Sequence, residues 1–313
     1  MSDFSAPFSA PFPAPAKLNL MLRVTGRRAD GYHLLQTIFR FIDYGDSLRF
    51  RVRTDGLIAR VNDVPGVPAD SDLCVRAARL LQQTTGTPLG ADIDLEKRLP
   101  MGGGLGGGSS DAATTLLALN SLWKTAIPRQ QLIDLSIKLG ADVPVFVFGQ
   151  NALAEGIGEQ LLALTLPPAW YVVLCPPVMV PTATVFAHPD LKRDSKKVTI
   201  QGFSGRGFVA RAAHDDGSLM NEFYALREFQ NDLQSLVVQL YPEVGRHLAW
   251  LSDAGAVHPE KCGPALMTGS GACVFAPFES EQAALAVLAQ LPGGMRGFVA
   301  QGLDRHPLHD AEL

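Results

Sequence analysis

Residues 99–113, LPMGGGLGGGSSDAA, gather six glycines and two serines ahead of a run of helix formers. Glycine costs more ordering entropy than any other residue, so such a cluster implies a tight backbone path or the close approach of a ligand. Glycines let successive backbone N–H groups converge on one point, and a helix opening at Ser109-Ser110 adds the positive end of its dipole. A nest of this kind holds a phosphate chain without a loop lysine. Two other phosphate motifs fail. Gly102, Gly104 and Gly107 fit G-x-G-x-x-G, but that fingerprint needs an acidic residue on a strand about 20 residues further on, where this chain reads as helix. A Walker A loop closes on Gly-Lys-Ser/Thr, and this loop has no lysine. A glycine turn packed against a neighbour is the remaining alternative.

Other stretches carry side chains suited to polar chemistry. Lys17 and Asn19 sit two apart in APAKLNLML (14–22), and strand alternation puts their polar tips on one face, opposite Leu18 and Leu20. That face is equally compatible with solvent exposure. Asp142, in LGADVPVFVFG (139–149), lies between a helix stop and a short apolar run, the setting of a turn aspartate that caps its own backbone. Gly31-Tyr32-His33 follows the cations Arg27 and Arg28 and reads as turn punctuation. Thr268-Gly269-Ser270-Gly271 reads as a hairpin turn, and Asn231-Asp232 as a helix N-cap with no chemistry of its own. Phe186, in PTATVFAHPD, is compatible with plain core packing.

These groups need elements to position them. AKLNLMLRV, LLQTIFRFID and SLRFRVR are strand-length pieces. Helical spacing over 70–83 aligns Leu73, Ala77, Leu80 and Leu81 after an Asp/Ser start. ADIDLEKRL reads as a strand, and a helix from about Ser109 to Leu122 follows the glycine loop. IPRQQLIDLSIKLGA is a second helix closed by Gly140, and VPVFVFG a short buried strand. Further on come a strand at YVVLC, helices over 232–240 and 243–253, strands GPALM and ACVFAPF, a helix at EQAALAVLAQL and a strand at RGFVAQGL. The order β, α, β, β, α, β is the split βαβ arrangement. Polar residues without periodicity over 190–217 read as a long loop that includes none of the candidate site residues above.

The totals narrow the classes. A chain of 313 residues fits two domains of about 100 to 200 residues each. The sequence divides into an extended Ser-Ala-Pro-Phe leader over 1–13, a first domain over 14–168 and a second over 169–313. A net charge of −4 argues against a nucleic-acid partner. No apolar run reaches the roughly 18 residues that span a bilayer, and the N-terminus lacks the pattern of a secretory signal. Cys74, Cys175, Cys262 and Cys273 match no zinc spacing and read as reduced, small apolar residues of a cytoplasmic protein.

LPMGGGLGGGSSDAA resembles the phosphate loop of the galacto-, homoserine, mevalonate and phosphomevalonate (GHMP) kinase superfamily, in the triple-glycine form of its branch acting on a cytidine diphosphate-linked methylerythritol. APAKLNLML, RRADGYHLLQTIF (27–39), LGADVPVFVFG and MTGSGACVFA (267–276) resemble further blocks of the same family in the same order. The resemblance implies an α+β fold of two domains. The first would be like domain 2 of ribosomal protein S5, and the second ferredoxin-like, with a split βαβ sheet. It implies ATP as co-substrate with Mg²⁺, and phosphorylation of the 2-hydroxyl of the methylerythritol unit in the non-mevalonate route to isoprenoid precursors. Lys17 and Asp142 are then the catalytic residues, Asp142 taking the hydroxyl proton. Pro100, Met101, Gly102, Gly103, Gly104, Leu105, Gly106, Gly107, Gly108, Ser109 and Ser110 would hold the ATP phosphates, with Ser109 or Ser110 offering Mg²⁺ a hydroxyl. Leu73 and Lys97 would lie near the adenine. Asn19, Thr268 and Gly269 would contact the acceptor, Tyr32 and Phe186 would stack on its cytosine, and His33 would bond the polar edge. A monomer or homodimer working on small molecules is expected. Two rivals are another kinase of the superfamily, disfavoured by Gly-Tyr-His, and a nucleotide-binding protein without turnover, disfavoured by the intact Lys17 and Asp142.

Overall fold

The computed structural model describes residues 7–198, 229–256 and 263–310. Most of the polar stretch over 190–217 lies outside the described residues, as do the first six residues of the leader and Cys262.

Two long antiparallel strands, β1 (Phe12–Arg27) and β2 (His33–Arg53), form the spine. The described part of the leader joins the fold: β1 begins at Phe12, and Ser9 bonds the backbone of Phe50 through both its N–H and its hydroxyl. The two strand pieces expected across 34–53 are one strand. Gly45, between the two pieces, is a point of close approach, since a Cβ there would lie 2.2 Å from the Ala14 carbonyl oxygen. β2 also pairs β4 (Gly90–Glu96), which pairs β3 (Ile58–Arg60) in parallel. A hairpin of β5 (Ala152–Glu155) and β6 (Gln160–Ala163), not expected from the sequence, adds to β2 through β5.

Four helices cover one face of this half. α1 (Leu73–Thr85) starts where the Asp72 carboxylate accepts the Cys74 N–H at 2.7 Å and stops at Gly86 in the left-handed region. α2 (Gly107–Leu122) begins two residues before the expected Ser109. It is buried continuously from Ser110 to Leu119, between the sheet and its neighbouring helices, which is why no amphipathic stripe marks it. α3 (Arg129–Ser136) ends short of Gly140. VPVFVFG is not a strand but helix α4 (Val143–Phe148), opened by Pro144 in its first turn and closed by left-handed Gly149. A short, wholly buried apolar run has no periodicity to separate the two states, and the flanking Pro and Gly decided it.

The second half holds β7 (Trp170–Leu174), α5 (Thr182–Ala187), α6 (Gln234–Leu240), α7 (Pro242–Ala256), β8 (Leu266–Met267), β9 (Val274–Phe278), α8 (Glu281–Leu288) and β10 (Gly297–Leu303). The sheet order β10-β7-β9-β8, antiparallel throughout, is the split βαβ topology expected from the sequence. β10 pairs β2 as well, through Gly302 opposite Ile42 and Leu303 opposite Phe41, so both halves share one sheet. Among the described residues no helix is long and apolar enough to cross a membrane.

Candidate active site

A cavity of about 540 Å³ opens where the glycine loop, β1, the start of α4 and the Thr268–Gly271 turn meet. Gly102, Gly104 and Gly106 have φ of 66°, 75° and 74°, a conformation that L side chains rarely adopt. Gly106 is the N-cap of α2 and brings no side chain to the first turn, so the N–H groups following it have no capping partner and border the cavity. Uncapped N–H groups at a helix start are the geometry that an anion nest requires. The loop is clamped from the second half of the chain: Ala272 N–H donates to Gly102 at 3.2 Å and Cys273 N–H to Gly103 at 3.0 Å. A Cβ on Gly104 would lie 2.2 Å from the Thr268 carbonyl oxygen, so the two glycine loops touch backbone to backbone.

Lys17 and Asn19 do share one face of β1, and that face is not solvated. Both are buried, at 2 % and 3 % exposure, and both line the cavity. Lys17 Nζ donates to the Asn19 side-chain oxygen and to the Gly104 carbonyl at 3.1 Å, and it lies 3.2 Å from Asp142 Oδ2. Asp142 stands at the N-cap of α4 without capping it. Its carboxylate, 38 % exposed, faces the lysine and the cavity instead. Asn19 is a hub: its amide donates to Thr37 Oγ1 at 2.8 Å, and its backbone N–H donates to Thr268 Oγ1 at 3.0 Å. A one-residue register shift between Asn19 and Met21 sits at this point of the strand, where bulges commonly re-aim side chains. Gly269 completes the turn, its own Cβ position 3.0 Å from the Gly104 oxygen.

The two serines part company. Ser110 is fully buried and donates its hydroxyl to the Pro15 carbonyl at 2.7 Å, so it anchors α2 to β1 and does not line the cavity. Ser109 does line it. Among the described residues no group of three or more His, Cys, Asp or Glu side chains could hold a metal. A divalent cation would therefore depend on a ligand's phosphates, with Ser109 the available loop hydroxyl. Pro100, Met101 and Leu105 border the cavity along with the six glycines.

Leu73 and Lys97 also border the cavity. Lys97 is not free: its ammonium bonds Asp46 and, at 2.8 Å, Asp111. Burial alone would pull Lys97 down, but the two carboxylates outweigh it and raise its pKa. Asp46 is well served, accepting also from the Arg98 and Leu99 N–H groups. Asp111 is not: Oδ1 is buried without a hydrogen bond, and burial, with Asp46 adding, pushes its carboxyl up to about 8. The sequence reading missed Asp46 and Asp111, although Asp111 lay within the quoted motif.

The Gly-Tyr-His block divides. Tyr32 is 60 % exposed on the turn between β1 and β2, and neither it nor His33 borders the cavity, whereas Phe186 does. The ring that meets Phe186 is His33, at a centroid distance of 4.9 Å and a tilt of 34°. Phe186 packs on the core of the second half and lines the cavity too, so packing and site are both served. The polar segment at 190 turns out to reach this place, for Arg193 Nε donates to His33 Nε2 at 3.0 Å. Asn231-Asp232 is not the helix N-cap expected, since α6 starts from Leu233 without a side-chain cap; the Asn231 oxygen instead accepts the Leu233 N–H at 2.9 Å, and its amide holds the Met267 and Gly269 carbonyls at 2.7 and 2.8 Å.

Glycine amides gathered at a helix start, with a lysine bridging from them to a carboxylate, suit a protein that transfers phosphoryl groups by positioning. Families known to do so match both halves: "GHMP kinases N terminal domain" over residues 72–150 and "GHMP kinases C terminal" over 210–296. The chain belongs to the GHMP kinases. It is 57 % identical over 295 residues to the 4-diphosphocytidyl-2-C-methyl-D-erythritol kinase of Nitrosospira multiformis, covering 94 % of this chain and 92 % of that one. The enzyme of the same name from Thiobacillus denitrificans is 56 % identical, over 94 % and 96 %. A crystal structure of 4-(cytidine 5'-diphospho)-2C-methyl-D-erythritol kinase superposes with a TM-score of 0.71 at 32 % identity, covering 94 % of this chain and 99 % of that one.

Proposed function

We propose that the protein transfers the γ-phosphoryl group of ATP to the 2-hydroxyl of 4-diphosphocytidyl-2-C-methyl-D-erythritol. Lys17 is the observation that carries this reading. One buried ammonium reaches the phosphate loop at Gly104 and the Asp142 carboxylate, at 3.1 and 3.2 Å, and so joins the donor's end of the cavity to a base. Asp142 accepts the hydroxyl proton as the oxygen attacks phosphorus, and Lys17 offsets charge shared between the carboxylate and the phosphoryl group. The amides of Gly104 to Ser109 bind the triphosphate. Mg²⁺ bound with it would neutralise phosphate charge, with the Ser109 hydroxyl the protein's contribution. Leu73 and Lys97 border the space assigned to adenine, while Asn19, Thr268 and Gly269 flank the acceptor. His33 and Phe186 are assigned to the cytosine, and Tyr32 reaches it only by a change of rotamer or turn.

The two-domain division near 168/169 is supported by the split βαβ order of β7–β10, although β10 also joins β2 of the first half. A cytoplasmic setting is in keeping with Cys74, Cys175 and Cys273 as free thiols. The deciding experiment measures ADP release with each candidate acceptor. Turnover with the cytidine diphosphate-linked alcohol and none with mevalonate or homoserine is expected, and the reverse pattern rejects the assignment.

A further inference from the structure

Two thiols meet across the sheet of the second half. β7 and β9 pair antiparallel with Leu174 opposite Val274, so one further step of that register sets Cys175 opposite Cys273. The backbone polar groups of each residue turn away from the other. Cys175 N–H donates to the Arg296 carbonyl at 2.8 Å, on the β10 side. Cys273 N–H donates to the Gly103 carbonyl, and the Cys273 carbonyl accepts the Thr268 N–H, both at 3.0 Å. The two cysteines are therefore a non-hydrogen-bonded cross-strand pair, the kind whose side chains stand closest, with Cα atoms typically about 4.5 Å apart. A disulfide accepts Cα separations of about 4.4 to 6.8 Å, so this position admits one. The two thiols already share a hydrogen bond.

The pair is asymmetric. Cys175 is partly exposed, and the hydrogen bond from Cys273 lowers its pKa. Cys273 is 1 % exposed, and giving that bond, together with burial, raises its own. An accessible thiol of thiolate character beside a buried one is the arrangement of an attacking and a resolving cysteine. The buried sulfur also packs on the glycine loop. A Cβ on Gly103 would lie 2.8 Å from Cys273 Sγ, so the missing side chain leaves the room that this sulfur fills. Gly103 lies on the side of Cys273 away from β7. Joining the sulfurs would draw Cys273 Sγ toward Cys175 and off the loop.

We propose that Cys175 and Cys273 form a peroxide-sensitive modification site, whose disulfide pulls the Cys273 sulfur from Gly103 and loosens the loop. The effect on ligand binding rests on the reading that this loop holds the ATP phosphates. Hydrogen peroxide is the oxidant. The Cys175 thiolate attacks one peroxide oxygen, the O–O bond breaks, and the departing hydroxide takes a proton to become water. The Cys273 sulfur then attacks the Cys175 sulfenic acid and displaces a second water as the S–S bond forms. Two thiols and one peroxide give one disulfide and two waters, and a dithiol reverses the link by exchange.

Peptide mapping and calorimetry test this on the whole protein. After mild peroxide treatment, a peptide linked through Cys175 and Cys273 is expected, with Cys262→Ser forming it equally well. The dissociation constant for ATP should rise roughly tenfold, the size of one weakened hydrogen bond, and dithiothreitol should restore it. Cys175→Ser should bind ATP like the unmodified protein before treatment and keep its affinity after it. In Cys273→Ala, Cys175 should stop at the sulfenic acid and be trapped by a cyclic 1,3-diketone. Absence of the linked peptide overturns the proposal. So does an unchanged ATP affinity in the linked protein, or an equal loss of affinity in treated Cys175→Ser. Failure of the reduced protein to bind ATP overturns the assigned reaction instead, and the linked peptide still decides the pairing. Should either variant not fold, the linked peptide and its dithiol reversal in the unmodified protein carry the test.

Discussion

Replacing Asp142 by Asn removes the carboxylate and little else, so it separates chemistry from architecture. The side chain is 38 % exposed, leaves its own helix uncapped and touches Lys17 at 3.2 Å. Lys17 is the partner at risk, because it is buried and would lose the one carboxylate it meets among the described residues. Breaking a fully buried ion pair costs about 3–5 kcal/mol, but that figure supposes an ammonium left without acceptors. Here Asn19 and the Gly104 carbonyl remain, and the amide oxygen of the substituted side chain can replace one carboxylate oxygen. Screening by water at the half-open Asp142 reduces the loss further, to about 1 kcal/mol. A general base contributes about 10² to 10⁴ in rate, or about 3–5 kcal/mol at 1.36 kcal/mol per decade. The kinetic term exceeds the structural one several-fold. Steady-state ADP release should therefore show kcat down by two to four decades, while the melting temperature moves by only a few degrees and ATP affinity holds. A kcat within about threefold of the unmodified protein, with the melting temperature unmoved, would remove Asp142 from the proton transfer.

Gly104→Ala should abolish nucleotide binding measured by calorimetry, because its Cβ would fall 2.2 Å from the Thr268 oxygen at a φ of 75° and neither backbone can yield. Ser109→Ala should raise KM for ATP at limiting Mg²⁺ without altering the melting temperature. Ser110→Ala should instead cost about 1 kcal/mol of stability in denaturant unfolding, by freeing the Pro15 carbonyl, and leave that KM alone. His306 is held neutral, its pKa pushed down to about 3 by burial, Arg129 and His309. Its unfolded form takes up a proton near pH 6.5, so stability falls as pH drops below that value and keeps falling until about pH 3. At pH 5 the penalty is about 2 kcal/mol. His306→Asn, which keeps an acceptor for the Leu308 N–H, should flatten the dependence between pH 7 and 5, and an undiminished slope would exonerate His306.

How much of this the residues announce depends on the range of the interaction. The glycine nest is local physics, and its left-handed glycines and uncapped helix start follow from LPMGGGLGGGSSDAA alone. The split βαβ order was legible because each strand and helix of the second half carries its own periodicity. Lys17 and Asn19 were placed on one face by alternation, but only tertiary packing shows that face to be buried. Periodicity failed at VPVFVFG, where every side chain from Val143 to Val147 is buried and no face stands out. It was silent on Asp46, which meets Lys97 across 51 residues, and on Arg193, which meets His33 across 160. A long polar segment looks like solvent-filled loop until Arg193 is seen to find an imidazole.

The two ends of the cavity are not independent. Thr268 donates to the Gly104 carbonyl and accepts the Asn19 N–H, so one hydroxyl joins the glycine loop, β1 and the Thr268–Gly271 turn, across 164 and 249 residues. Asn231 holds that turn from behind through Gly269, and Asp232 holds β1 through the Val24 N–H at 2.8 Å. Because Gly104 and Thr268 meet backbone to backbone, the turn cannot shift without moving the loop whose amides form the nest. If the proposed donor and acceptor bind here, their phosphorus and hydroxyl would be aligned by contacts between distant parts of the chain, made before either ligand arrives. Phosphoryl transfer needs little else from a protein, since its barrier falls mainly through orientation and charge already in position.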